Sequence, residues 1–537
     1  MSDAEDDVDL DALLAELDEL LAQATPPSPK EEHAHPETRW NTRFGQLRSV
    51  IHAHLADPHN ARWEDEGRGD QLAELLMWAH GINPTRYADE WLPYLLAQPS
   101  LPLCRFKGLE MFELYAMLLP PAPAISALTL CDRELGDEGV QALMEADGIE
   151  RVRRLGIVSS ELGDAALQAI ARADTLDALI HLGLHSNNLT AASVRELASA
   201  PLMGQLTRLD LGYNQIGDEG AALLSRADAP HLTRLNLNSA HVGPEGVRAL
   251  TRSATLPAIE DLSLGYSPLG DEGLTALATG AATFPHLRSL YLVDVQGGEA
   301  GALALARSPH LRRLESLWLS TNAPGVEGAL ALLTSPHLTR LRSIGLSESD
   351  LDHTCAEALT SAAWLPSLDH LTLDHNPLGD SGLLALARIS APPKLTVLSL
   401  RDVRAFEQPI APSTLRALLD APLTTHLTHL TLSMNGITDT AVEALAETPN
   451  LATLTHLDLS YNQLSPDGLR ALLRSPLISH LKSLYISNNR LGDDGLDALI
   501  KAAPQLGHIK QLYVFDNGAS PEARAAFKAR FGGVGLG

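Results

Sequence analysis

The chain has 537 residues, 45% of them hydrophobic, with 40 Lys and Arg against 67 Asp and Glu, which gives a formal charge of -27. A chain of this length can bury a large core, and its acidic field disfavours DNA, RNA and anionic membranes while favouring basic partners. No segment holds the roughly 18 apolar residues of a membrane-spanning helix, and Cys104, Cys131 and Cys355, an odd number without paired spacing, read as reduced thiols of a cytosolic protein.

Residues 1–11 carry carboxylates where an export signal would need a basic start and an apolar run, so no Sec signal and a cytoplasmic location are expected, with delivery by a specialised secretion system left open. Residues 2–25 contain nine Asp or Glu and no Lys or Arg, yet Leu10, Leu13, Leu14, Leu17, Leu20 and Leu21 fall at helical spacing. Two readings are open: a solvated tail, since short isolated helices are marginal, or a docking peptide. Pro26, Pro27, Pro29 and Pro36 make 1–36 an acidic tail and Pro-rich linker. Over 37–124, the aromatics Trp40, Phe44, Trp63, Trp78, Tyr87, Trp91, Tyr94, Phe106, Phe112 and Tyr115 imply a small packed core, expected to be a helical cap on the repeats of residues 125–517.

Residues 125–517 are dominated by a period. An apolar-x-apolar triplet starts at Leu128, Leu155, Leu182, Leu209, Leu235, Leu262, Leu290, Leu317, Ile344, Leu371, Leu398, Leu430, Leu457, Leu484 and Leu512, with steps of 26 to 28 residues except one of 32. Such a period means stacked supersecondary units, each too small to bury its apolar edge alone. Each copy reads as a short strand, a turn, a helix and a return loop. In the copy beginning at Leu209, Leu209 and Leu211 point inward, and Asn214 can bond neighbouring turns through its amide. The helix opens on Gly217-Asp218-Glu219-Gly220, carboxylates that complement its dipole, with Leu223 and Leu224 as its buried stripe. Ser160, Ala240, Ser267, Val295 and Ser349 replace the Asn in other copies, which loosens turn bonding but leaves the register intact. Residues 518–537 are expected to form a capping helix at 521–531 and a frayed tail.

The pattern L-x-L-x-x-N, then L-G-D-x-G and an amphipathic helix, resembles the ribonuclease-inhibitor-like class of leucine-rich repeats, and the ending Ala525-Ala-Phe-Lys-Ala-Arg-Phe531-Gly looks like the tails of bacterial proteins of this kind. The resemblance implies an α/β leucine-rich-repeat solenoid, a horseshoe of about 15 repeats, with parallel strands on a concave face and helices on a convex one.

Side chains that flank and follow the triplets face the concave side. Six of the nine Tyr fall there: Tyr213, Tyr266, Tyr291, Tyr461, Tyr485 and Tyr513; Trp318 and Phe515 join them. Tyr291 with Trp318, and Tyr485 with Tyr513, share a column in adjacent strands, so each pair of rings is expected about 5 Å apart. Aromatics on a solvated face make binding hot spots, although a cross-strand ladder that only stiffens the sheet is the plainer alternative. The 32-residue step inserts a loop with Arg401, Arg404 and Phe406, a candidate contact element or plain surface variation.

His429 and His456 also share a column, with Asp458 close and His370 two strands away, a set that could bind zinc or copper. With 21 His in the chain, four of them in Pro-His-Leu return loops, scattered surface histidine is the plainer reading, and no metal or cofactor is expected. The chain has no phosphate-binding loop, no H-E-x-x-H and no G-x-S-x-G, and no separate domain would make Cys355 a nucleophile. The expectation is a non-catalytic interaction scaffold or inhibitor-like binder of a protein partner, a basic one being favoured by the acidic charge. The alternatives are an enzyme regulator, such as a GTPase activator or ubiquitin-ligase adaptor, and an effector delivered to another cell.

Overall fold

The computed structural model describes residues 104–106, 127–130, 135–146, 148–389, 394–405 and 408–531. The tail and linker at 1–36, most of the region read as a helical cap, Cys131, Phe406 and residues 532–537 lie outside the described residues. The chain forms two compact units, one of residues 1–132 with 142–155 and one of residues 133–141 with 156–537.

In the first unit the strands Cys104–Phe106 and Ala127–Leu130 pair in parallel, with Cys104 opposite Leu128 and Phe106 opposite Leu130. Cys-Arg-Phe has the same apolar-x-apolar spelling as the triplets of the repeats. A strand therefore stands inside 37–124, where helices alone were expected.

In the second unit thirteen strands, from His181–Gly183 to Gln511–Tyr513, succeed one another in sequence order, each parallel to the next. Their first triplet leucines are aligned without slip, Leu209 opposite Leu235, Leu235 opposite Leu262, and onward to Leu484 opposite Leu512. The 32-residue step leaves this intact, with Leu398 opposite Leu430. Side chains alternate across a strand, so the triplet leucines enter the core with the helices and the residues between them face outward on the open side. The burial of Ser289–Tyr291, intermediate then buried then intermediate, shows the alternation.

Helices between the strands contribute the other half of the core. In Gly217–Leu224 the buried positions are Gly220, Ala221 and Leu224. Leu223, expected in the buried stripe, is only half-buried: a helix turns 100° per residue, so 220, 221 and 224 share a face and 223 lies on its flank. The last helix, Pro521–Phe531, is anchored by Phe527, which is fully buried and stacks on Phe531 at 4.5 Å. Among the described residues no helix is long and apolar enough to cross a membrane.

Two polar devices tie each repeat to its neighbour. The Asn214 amide donates to Leu184 O at 2.9 Å in the preceding repeat and to Leu211 O at 3.1 Å in its own, and its oxygen accepts from Leu189 N at 3.1 Å. Asn187, Asn322, Asn376, Asn462, Asn489 and Asn517 donate in the same way. Where Ser267 replaces Asn, its buried hydroxyl has no partner, yet Leu262 stays in register with both neighbours.

The second device is the Asp of the helix-opening phrase. Asp218 Oδ1 accepts from Gly243 N at 2.6 Å and Gly246 N at 2.8 Å, so the carboxylate caps the helix of the next repeat, Pro244–Leu250. Asp271 does the same for Gly298 and Gly301, and Asp439 for Ser465, whose hydroxyl also donates to it. A side chain at residue 246 would lie 2.7 Å from Asp218 Oδ1, which is why glycine stands there. The carboxylates thus satisfy orphan N–H groups one repeat on, a task that the dipole argument for their own helix does not capture.

Candidate functional site

The open face of the sheet in the larger unit carries the candidate residues, and their backbone explains part of their display. Four residues after each triplet start, the chain takes a left-handed turn: Ser186, Tyr213, Ser239, Tyr266, Asp294, Thr321, Glu348, His375, Asp402, Met434, Tyr461, Asn488 and Asp516 all have φ between 46° and 61°. That conformation is unfavourable for side chains with a Cβ and is tolerated best, after glycine, by Asn and Asp. Tyrosine occupies it three times, and Tyr213, Tyr266 and Tyr461 stand 54%, 43% and 52% exposed, beyond the strand ends.

Tyr291 and Trp318 are register partners, but their rings lean apart. Tyr291 folds over Gly265 towards Tyr266, with ring centroids 6.3 Å apart and hydroxyls at 3.3 Å, whereas Trp318 folds over Gly345 to meet His370 edge-on at 5.2 Å. A Cβ at residue 265 would stand 2.7 Å from the Tyr291 ring, and one at residue 345 would collide with the Trp318 indole. Each glycine thus clears space for an aromatic on the adjacent strand, in opposite directions. The 5 Å pairing expected from strand spacing is therefore not made. Burial, then the bond to Tyr266, pushes the Tyr291 phenol well above its usual range.

Tyr485 and Tyr513, also register partners, stack with centroids 4.8 Å apart and planes 5° from parallel, and Phe515 tilts against Tyr513 at 5.6 Å. The Tyr485 hydroxyl donates to Gln511 Oε1 at 2.7 Å, and burial, then Tyr513, raises its phenol. Both rings are half-buried.

The inserted loop offers less than its composition suggested. Arg404 pairs with Asp402 at 2.9 Å, and the Arg401 guanidinium lies against Met434 Sδ at 3.4 Å. Its charges are thus engaged within the repeat stack, and Phe406 lies outside the described residues. His429 and His456 stack face to face at 3.9 Å. Among the described residues, no three His, Cys, Asp or Glu converge as metal ligands would. Cys355 is buried in the helix His353–Leu359, and burial raises its thiol, opposite to what a nucleophile requires. A shallow hollow of about 470 Å³ on the helical side is bordered by Arg248, Asp271 and Glu272, with Arg248 ion-paired to Glu245 and Glu272, and no aromatic residue lines it.

Two features of this face escaped sequence reasoning. The left-handed column has no common residue type to mark it. The ring directions were legible only as a glycine beside an aromatic in adjacent strands, at Gly265 with Tyr291 and Gly345 with Trp318.

Comparison with protein families agrees with this architecture. A family model described as "Leucine Rich repeat" matches residues 206–225, 228–250, 257–278, 365–387, 425–446, 450–473 and 478–499. No curated protein shows significant similarity to the chain. Solved structures similar to it include a leucine-rich-repeat protein of Leptospira interrogans, 17% identical over 85% of this chain and 99% of that one, with a TM-score of 0.42. An internalin of Listeria monocytogenes is 19% identical over 74% of this chain and 93% of its own, with a TM-score of 0.36. A chain of the yeast Rad7 and Elc1 complex is 19% identical over 60% of this chain and 83% of its own, with a TM-score of 0.41. The seven matched segments each fall on one turn of the strand-and-helix period, within the stack of in-register strands tied by asparagine side chains: the chain is a leucine-rich-repeat protein.

Proposed function

We propose that the chain is a non-catalytic protein-binding module that engages its partner through the open, strand-lined face. The observation that carries this reading is the placement of Tyr213, Tyr266 and Tyr461: exposed at left-handed turn positions beyond the strand ends, where the fold is equally served by serine at Ser186 and Ser239. Large, stiff, amphipathic rings held out in solvent are suited to contact. A ladder that only stiffens the sheet accounts for the Tyr485 and Tyr513 stack and for Tyr266 against Tyr291, but not for Tyr213 and Tyr461, exposed beyond the strand ends.

The formal charge of -27 favours a basic partner through long-range attraction, and the same field disfavours nucleic acid and anionic membrane. A cytoplasmic protein of this kind would act by occupancy, as a scaffold or an inhibitor. The test is affinity capture from the native host with Tyr213→Ser, Tyr266→Ser and Tyr461→Ser combined. Serine already occupies this column elsewhere, so the fold should hold while capture is lost. Unchanged capture would remove these tyrosines from the site.

A further inference from the structure

The open face also carries an imidazole stack that the binding reading does not use. His429 and His456 are register partners on adjacent strands, and their rings lie 3.9 Å apart and 11° from parallel. Thr428 Oγ1 sits 2.9 Å from His429 Nδ1, and Thr455 Oγ1 sits 2.8 Å from His456 Nδ1, so the preceding threonine holds each ring by the same edge. Parallel rings keep their free Nε2 lone pairs side by side rather than convergent, the wrong arrangement for a shared metal ion. Two neutral imidazoles tolerate this contact. Two imidazolium cations do not, because like charges at this separation disfavour one another.

The surroundings add little to hold a proton. Val397 flanks His429 on one side, with His370 beyond it, and Asp374 acts on His370 rather than on the pair. Ser483 flanks His456 on the other side, with Lys482 next to it and Asp458 two residues along the His456 strand. Asp458 Oδ1 accepts from Ser460 N at 2.8 Å. Partial desolvation lowers the proton affinity of His429, whose ring is otherwise exposed; burial, then His429, then Lys482 lower that of His456.

We propose that the His429–His456 stack is a proton-operated element of the open face: closed when both rings are neutral, parted when a proton is taken up, so that the imidazolium turns to solvent and the ring faces now shared become available. Its operation belongs to the free protein and is separable from whether that face binds a partner. Because the folded state holds both rings below the ordinary value, the stack's contribution to stability is present above about pH 6.5 and is lost as pH falls from there through the folded values.

The experiment is a pH titration, from 8 to 5, of the full chain labelled at histidine carbons, read by two-dimensional NMR. His456→Gln is read on His429, and the reciprocal His429→Gln on His456. The expected result is two separated midpoints below about 6.5, ring-to-ring cross-peaks at pH 8 that vanish at pH 5, and an upward shift of about half a pH unit or more in the surviving ring of each variant. Either variant alone carries the test if circular dichroism shows the other to be misfolded. Cross-peaks that persist at pH 5, or a midpoint near 6.5 that neither substitution moves, would overturn the proposal.

Discussion

Asn376→Ala isolates the device that ties repeat to repeat. The side chain, 1% exposed, donates to Leu346 O at 2.8 Å, Leu373 O at 2.9 Å and Asp374 O at 3.2 Å, and accepts from Ser349 N at 3.1 Å and Leu351 N at 3.0 Å. Alanine leaves the two backbone N–H groups buried without an acceptor, at about 2 kcal/mol each, so the substitution should cost about 4 kcal/mol. In a repeat stack the loss is shared mainly between neighbours, so the assay is amide hydrogen exchange at Ser349 and Leu351 alongside denaturant unfolding. The exchange protection of these amides should fall by up to about a thousandfold. Ser267→Ala is the matched control: its hydroxyl is buried without a partner, so its removal should be neutral or stabilise by about 1 kcal/mol. An Asn376→Ala cost below about 1 kcal/mol, or an equal cost at Ser267, would refute the account of the asparagine ladder.

Gly246→Ala places a methyl group 2.7 Å from Asp218 Oδ1 and 2.8 Å from Val242 Cγ1. It should destabilise by about 2 kcal/mol through overpacking, measurable as a lowered unfolding midpoint, and Asp218→Ala in the same chain should recover less than the full loss because the cap goes with it. Asp352 caps the helix His353–Leu359, and its hydrogen bonds, that from the Thr354 hydroxyl foremost, hold its carboxyl below the usual value. Ionised Asp352 therefore favours the folded state above about pH 4 and ceases to do so as pH falls through its folded value. Asp352→Ala should cost about 1 kcal/mol at pH 7, and the gap should narrow in acid; a gap independent of pH between 7 and 3 would contradict this assignment.

The sequence made the sheet readable because each strand begins with the same residue type one period after the last. Leu209, Leu235 and Leu262 must share an environment, and with no slip allowed their order and register are determined. Asn214 was readable for the same reason, since a buried amide in a turn has only backbone to bond. Asp218 stands in the first turn of its own helix as read, and its second task was not legible. Carboxylates at a helix start suggest their own helix, and nothing local in the sequence says that the N–H groups of Gly243 and Gly246 come closer. The left-handed column was hidden because Ser, Tyr, Asp, Thr, Glu, His and Met all occupy it, so geometry recurs where chemistry does not. Strand spacing alone placed Tyr291 beside Trp318; the empty space over Gly265 and Gly345 draws the rings apart. For the loop at Arg401 and Arg404, composition alone does not specify the contacts with Asp402 and Met434.

The claim that the open face is the binding surface is tested most directly by hydroxyl-radical footprinting of the chain, free and with its captured protein partner, read residue by residue. The account predicts that Tyr213, Tyr266 and Tyr461, exposed in the free chain, lose reactivity in the complex while the helical side around Val326 and Leu384 keeps it. Protection of Val326 and Leu384 with the three tyrosines still reactive would place the partner on the helices and contradict the account.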